Sequence, residues 1–322
     1  MYRSTFKGGC HPFEGKEMSS TKPGVTLEPG PELVFPLSQH AGAPAVPVVK
    51  AGDEVLAGQL IAEANGAVSA NIHSSVSGKV KAIQKRPLPT GGVGMSIVIT
   101  NDNEYREVEY KPASLDSLSR EEILARIRAA GVVGMGGAGF PADAKFNPDN
   151  YDKIENLVVN GAECEPYLTS DYKTMVDSPD RVIGGIKIAL KLLPNATAVI
   201  GIEDNKPDAI ALLKKLTKDE TDISVAALHT KYPQGSERHL IYAVTGRAIN
   251  SSMLPADAGC IVDNIGTVIA IYDAVCKTTP LIERVFTVTG DAIADPRNFR
   301  IKIGTNTQEL IEAAGGFKQE PE

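Results

Sequence analysis

Between residues 156 and 228, three apolar runs of strand length alternate with two segments of helical spacing. The runs are Asn156-Leu-Val-Val159, Ala196–Ile202 and Ile223–Leu228. Ser178-Pro179 opens the first helical segment with proline in its first turn, and Val182, Ile183, Ile186, Ile188, Leu190 and Leu193 follow it; the second segment is Lys206–Leu216. Connections of that length do not join antiparallel neighbours, so the order β-α-β-α-β predicts a mostly parallel sheet covered by helices. Ligands of such sheets sit outside the carboxyl ends of the strands. The stretches Asn160–Glu165, Glu203–Lys206 and His229–Glu237 follow the strands directly and are expected to line one crevice.

Upstream lies the stretch Gly131-Val-Val-Gly-Met-Gly-Gly-Ala-Gly-Phe-Pro141, with glycine at 134, 136, 137 and 139. A backbone without Cβ atoms approaches a flat or phosphorylated ligand closely, and its N–H groups can converge on phosphate oxygens. Taken alone, the loop reads equally as a tight turn. A helix leads into it: Ser119 and Glu122 form a capping box, Ile123, Leu124, Ile127 and Ala130 recur at helical spacing, and Gly131 is a C-terminal stop.

The flanks have a different character. Residues 1–43, rich in Pro, Gly and Ser, are expected to be an extended segment wrapping over another body, such as a partner. Residues 44–112 read as short strands. Val49-Lys-Ala-Gly-Asp-Glu-Val-Leu-Ala-Gly-Gln-Leu-Ile61 and Ile72-His-Ser-Ser-Val-Ser-Gly-Lys-Val80 resemble the two halves of a biotinyl/lipoyl-type barrel-sandwich domain. Carriers of that type attach their group to a lysine between the halves. No lysine occurs from Ala51 to Gly78, which leaves a structural or docking role. Residues 113–280 hold the α/β domain. In residues 281–322, Arg284-Val-Phe-Thr-Val-Thr-Gly290, Ile301-Lys-Ile303 and a helix at Gln308–Ala314 resemble a β-grasp SLBB module, and Lys318–Glu322 reads as the start of a linker. The fold class expected is α/β: a mostly parallel sheet with a barrel-sandwich β module before it and a β-grasp module after it.

The net charge is −7, with no dense Lys/Arg stripe, which argues against nucleic acid as a main partner. No apolar run approaches the ~18 residues of a membrane span, so membrane association is expected through partner subunits. Cys10, Cys164, Cys260 and Cys276 lack CxxC spacing, so no metal or iron–sulfur site is expected among them, and reduced thiols in a cytoplasmic setting are the simplest reading. No nucleophile, base and orienter assemble into a catalytic set.

Essentially the whole chain resembles the RnfC family, a subunit of the membrane-associated Rnf ferredoxin:NAD⁺ oxidoreductase complex. Phe6-Lys-Gly-Gly, Glu32-Leu-Val-Phe-Pro-Leu-Ser-Gln-His40, Lys231-Tyr-Pro-Gln-Gly235 and Leu254-Pro-Ala-Asp-Ala-Gly-Cys-Ile-Val-Asp-Asn264 carry the resemblance, with the glycine-rich loop and the Asn160 segment. More distantly, the middle of the chain is similar to the flavin- and NADH-binding subunit of respiratory complex I. That resemblance implies FMN against the backbone of Gly134, Gly136, Gly137, Ala138 and Gly139, and Lys145 near its phosphate. It makes Phe140 a platform for the NADH rings. Met135 stands where the relative has arginine. Asn160, Glu163 and Glu165 carry over from Asn-Ala-Asp-Glu-Ser-Glu-Pro, with Ala162 replacing the aspartate. Tyr232 and Glu237 match a Tyr-x-x-Gly-Glu-Glu segment in which Ser236 replaces one glutamate, and Asn264 and Thr267 match a flavin-side element. Carboxylates at 163, 165 and 237 are expected to accept hydrogen bonds from ribose hydroxyls and to repel a 2′-phosphate, favouring NADH over NADPH.

The resemblance also implies other subunits of a membrane redox complex as partners, ferredoxin indirectly, and a peripheral place on the cytoplasmic side of the cell membrane. In RnfC-like proteins [4Fe–4S] clusters sit in a C-terminal ferredoxin-type domain; no such motif occurs here, so clusters are expected only in a domain missing from this sequence. Two alternatives stand beside this reading: a cobalamin-reducing flavoprotein of propanediol metabolism, and a non-catalytic docking subunit whose flavin site has decayed at Met135, Ala162 and Ser236.

Overall fold

The computed structural model describes residues 4–88 and 90–319; of the expected linker, residues 320–322 lie outside the described part. Residues 4–16 lie along the middle domain. A short turn of helix, α1 (Glu17–Ser20), leads to β1 (Val25–Leu27) and β2 (Glu32–Pro36). Of the segment expected to be extended, residues 4–16 lie over the middle domain of this chain, while β1 and β2 pair as strands within it. In β2 burial alternates with the two-residue period of a strand, Leu33 and Phe35 facing inward at 0% exposure.

The strands β3 (Val46–Pro47), β4 (Glu54–Val55), β5 (Leu60–Glu63), β6 (Ile72–His73), β7 (Gly78–Pro87) and β8 (Val93–Asn101) complete the first module. They form an antiparallel sheet of order β2-β8-β7-β4 facing a smaller sheet β3-β5-β6. Leu33, Phe35, Ile61, Ile72, Ile97 and Ile99 form the shared core. The β5–β6 connection, where a carrier lysine would stand, abuts the middle domain. There Asn71 Nδ2 donates to Ala129 O at 3.2 Å and Arg128 donates to Gly66 O at 3.1 Å.

The middle domain opens with α2 (Arg120–Ala129), whose capping box forms as expected: Glu122 N donates to Ser119 Oγ at 3.2 Å and Ser119 N to Glu122 Oε2 at 2.7 Å. Gly131, at φ +64°, ends the helix where no Cβ fits, since one would lie 2.2 Å from Asn71 O. Then follow α3 (Ala142–Lys145), β9 (Asn156–Gly161), α4 (Ser170–Asp177), α5 (Pro179–Leu192), β10 (Thr197–Glu203), α6 (Pro207–Leu216), β11 (Ile223–Leu228), α7 (Glu237–Thr245), β12 (Cys260–Asn264) and α8 (Ile265–Tyr272). The sheet has order β11-β10-β9-β12, and every neighbouring pair is parallel. β12 adds a fourth strand to the three expected. Leu157 and Val159 join the core under α5 and α8, while Val158 between them joins Leu240 and Ile241 of α7 on the opposite face. Helices therefore cover both faces, leaving the carboxyl edge for other uses.

The last module comprises β13 (Glu283–Val288), β14 (Arg297–Lys302) and α9 (Thr307–Ala313). Its sheet has order β1-β14-β13, so the N-terminal segment supplies one edge, parallel to β14. Phe299 and Leu310, 1% and 2% exposed, centre its core.

Candidate functional site

Because the four middle strands are parallel, the residues following them emerge along one edge. Asn160 of β9 is in register with Gly201 of β10 and with Asn264 of β12. The glycine-rich loop reaches that edge at Asn264: a Cβ built on Gly136 would lie 3.0 Å from Asn264 Cβ. The loop and the turn that begins at Asn160 therefore share one side of the molecule.

The loop closes on itself and on α8. Gly134 N donates to Phe140 O at 2.9 Å, and Met135 N donates to Thr267 Oγ1 at 3.0 Å, Thr267 being fully buried. Gly139, at φ +66°, is buried against His40 of the first module, and its carbonyl accepts from Ala41 N at 3.0 Å. Gly136, Gly137 and Ala138 are exposed, and no atom lies within 4 Å of the place a Gly137 Cβ would take. Phe140 is 38% exposed beside them. Asn264 caps α8 by accepting from Gly266 N at 2.8 Å and donates from Nδ2 to Asp171 Oδ2 at 2.7 Å.

Lys145 is placed differently from the expectation of a phosphate ligand. Its ammonium donates to Val262 O at 2.7 Å and faces the buried Asp263, whose carboxyl burial raises and whose charge Lys145 favours. Glu163 also departs from a ribose-binding role. At φ +46° and 9% exposure, its carboxylate accepts from Asp171 N at 2.7 Å and from Tyr172 N at 3.1 Å, so it caps α4. Asp171, which no sequence motif singles out, is held between Glu163 and Asn264. Burial first, and then the charge of Glu163, push its carboxyl up to about 7. Its signal in the sequence is only an acidic residue in a first helical turn, a common feature without chemical meaning by itself.

Asn160 donates to Gly235 O at 2.8 Å, and Gly235 N donates to Cys164 Sγ at 3.1 Å, packing the turn after β11 onto the turn after β9. Glu165 and Glu237 are exposed, as is Tyr232 at 37%. Beneath them Lys206 is 3.4 Å from Glu203 and donates to Ala162 O at 2.7 Å; burial raises the Glu203 carboxyl and the charge of Lys206 opposes that rise.

A cavity of about 370 Å³ lies between the middle domain and the last module, lined by Met135, Asp171, Asn264, Gly266 and Arg284 among others. It touches the loop from the α8 side, and its lining does not include Gly137, Phe140 or Tyr232. The residues at the edge fit a flat phosphorylated cofactor: bare backbone at 137 faces open space, Gly136 packs against Asn264, and Thr267 bonds the loop that presents them. Among the described residues there is no group of His, Cys, Asp and Glu arranged to hold a metal ion, and no helix is long and apolar enough to cross a membrane.

Three family models match successive stretches of the chain. The RnfC barrel sandwich hybrid domain matches residues 4–104, the Nuo51 FMN-binding domain residues 127–273 and the SLBB domain residues 285–322. A subunit of the proton-translocating ferredoxin:NAD(+) oxidoreductase complex of Clostridium ljungdahlii is 48% identical over 98% of this chain and 70% of its own length. The corresponding subunit of the Na(+)-translocating complex of Acetobacterium woodii is 44% identical over 98% of this chain and 72% of its own. Its counterpart in the ion-translocating oxidoreductase complex of Pseudomonas aeruginosa is 43% identical over 96% of this chain, which spans 40% of that protein. A solved NAD+-reducing [NiFe]-hydrogenase in its H2-reduced state shares the fold over 66% of this chain and 45% of its own, with a TM-score of 0.51 and 20% identity. With that identity over most of two such relatives, the chain belongs to the RnfC family of ion-translocating ferredoxin:NAD(+) oxidoreductase complexes.

Proposed function

We propose that the carboxyl-edge crevice of the middle domain binds FMN and exchanges hydride between it and NAD(H). The observation that carries this reading is the contact of Gly136 with Asn264, itself in register with Asn160, which brings the bare loop and the polar turn to one edge. When bound, FMN supplies the interchange between two-electron hydride chemistry and one-electron transfer. The chain's part is placement. Gly136, Gly137 and Ala138 offer main-chain donors at close approach, Gly134 and Gly139 shape the loop that carries them, and Asn160, Asn264 and Thr267 hold the polar rim. Phe140 presents an exposed ring to the nicotinamide side, and Tyr232 lies at the far end. The exposed carboxylates of Glu165 and Glu237 accept from ribose hydroxyls and disfavour a 2′-phosphate. Glu163 acts one step back, by holding α4 and Asp171. Lys145 reaches a phosphate by giving up its bond to Val262 O.

The same proposal extends to the assembly. The protein would sit peripherally on the cytoplasmic face of a membrane complex, passing electrons between NAD(H) and [4Fe–4S] clusters on the way to ferredoxin; the names of the relatives support this. Titration of the purified chain with FMN tests the site: flavin fluorescence should saturate at one equivalent, and NADH should then bleach the bound flavin anaerobically. Absence of any saturable flavin binding rejects the proposal.

A further inference from the structure

Residues 4–16 cross the carboxyl edge as a strap over the ends of β10 and β11. Ser4 pairs with Leu228 and Cys10 with Tyr232, whose backbone groups exchange hydrogen bonds of 2.9 and 2.8 Å. Lys231 donates to Phe6 O and, at 3.0 Å, to Gly8 O. At the other end, Lys16 Nζ donates to Glu163 O at 2.8 Å, Glu165 O at 2.9 Å and Leu168 O at 2.7 Å. An ammonium has three donors, so the whole hydrogen-bonding capacity of Lys16 goes to one turn. That turn holds two non-glycine residues in left-handed conformation, Glu163 at φ +46° and Tyr167 at φ +68°. L-residues keep such angles only where their surroundings fix them. The strap supplies more of that fixing: Tyr167 N donates to Glu14 O at 2.7 Å, and a Cβ on Gly15 would lie 2.4 Å from the Tyr167 ring. Among the described residues, no hydrogen bond joins residues 4–16 to residues 134–140 or 264–267.

We propose that this strap is the outer wall of the NAD(H) subsite alone, and that Lys16 is a positioning residue setting the Glu163–Leu168 turn for the dinucleotide and not for FMN. The inference rests on the crevice being the FMN and NAD(H) site. It follows from which parts the strap touches. It grips Tyr232 and the backbone of Glu163 and Glu165, and leaves the glycine loop and the α8 cap to be held by the first module and by Thr267. Removing Lys16 frees three carbonyls and moves the Glu165 carboxylate, while the Glu163 carboxylate keeps its own bonds to the first turn of α4 and the loop keeps its bond to Thr267.

The test is calorimetric titration of the FMN-saturated chain with NAD⁺, a dinucleotide that leaves the flavin oxidised, for wild type and Lys16→Met. The variant should weaken NAD⁺ by about tenfold or more while the FMN dissociation constant stays within about threefold. Equal weakening of both ligands, or of neither, overturns the proposal and leaves Lys16 a merely structural clamp. Hydrogen exchange on the wild-type chain gives the second measurement, independent of any variant's folding. NAD⁺ added to the FMN-loaded protein should protect amides of residues 9–16 and 163–168, and protection confined to 134–140 and 264–267 overturns the strap's role. A wild-type chain that takes up no FMN rejects the underlying site assignment instead, and that result is seen before NAD⁺ is added.

Discussion

The two ends of the carboxyl edge are built from opposite materials. At the β9–β12 end the wall is main chain: exposed Gly136 and Gly137, with Asn264 and Thr267 holding them from behind. At the β10–β11 end it is charge already matched to charge or to carbonyls. Lys206 lies against Glu203, Lys16 spends its donors on the Glu163–Leu168 turn, Lys231 spends its own on the strap, and Glu163 caps α4. A ligand entering the first end meets backbone that gives up nothing to receive it. A ligand entering the second meets groups already engaged, while the exposed Glu165, Glu237 and Tyr232 are free to turn toward it. The presence of carboxylates in a motif therefore says little about which of them can touch substrate.

The substitution expected to break this contrast most sharply is Gly137→Val. Its Cβ meets no atom within 4 Å, so the fold should tolerate it, while the side chain fills the space the backbone leaves open. FMN affinity should fall by about 100-fold or more, with the thermal midpoint unchanged; retained affinity would place the cofactor elsewhere. Next is Asn264→Ala, which removes the cap of α8 and the amide that binds Asp171. It should cost about 1 kcal/mol of stability and weaken FMN by about tenfold, read by chemical denaturation and flavin titration on the same sample. An effect on stability alone would make Asn264 a capping residue only.

A third expectation concerns pH. Burial, and then the charge of Glu163, raise Asp171 from 3.8 to about 7, so the folded chain keeps a proton that the unfolded chain releases. The native state binds more protons across that window, and stability should fall as pH rises from 3.8 towards 7. Asp171→Asn keeps an acceptor for Asn264 and lacks the ionisation. Its thermal midpoint should match wild type at the acid end of the window and exceed it near neutrality; parallel curves would show that Asp171 ionises normally. The smallest effect is expected from Phe140→Ala. Losing the exposed ring should weaken NAD⁺ by roughly two- to fivefold and FMN less, and a larger loss of FMN than of NAD⁺ would make Phe140 part of the flavin wall and not a nicotinamide platform.

Much of the edge could be read in the sequence because its signals are local. The strands ending at Gly161, Glu203 and Leu228 announce themselves by apolar runs between helices, and parallel order follows from the length of the connections. The capping box at Ser119 and the stop at Gly131 need only neighbours in sequence. What could not be read depends on distant pairing. Leu33 and Phe35 look like part of an irregular, proline-rich segment until β8 lies beside them, and Val25–Leu27 becomes a strand only against β14. Cys260-Ile-Val262 was legible as part of a family segment, yet its place beside β9 is fixed by long-range pairing. Charges were the least legible. Glu163, Glu165 and Glu237 are the same residue type, yet Glu163 turns onto the first turn of α4, Glu237 opens α7 and Glu165 stays in an exposed loop. The commitment of Lys145 to Val262 O is equally invisible without coordinates.

The most direct measurement of the central claim is native mass spectrometry of the chain after incubation with FMN and removal of the excess. A crevice shared by the glycine loop and the Asn160 turn predicts a single mass shift of one FMN per chain in the wild type, and none in Gly137→Val. A wild-type spectrum without flavin, or the same one-flavin shift in the variant, would contradict it.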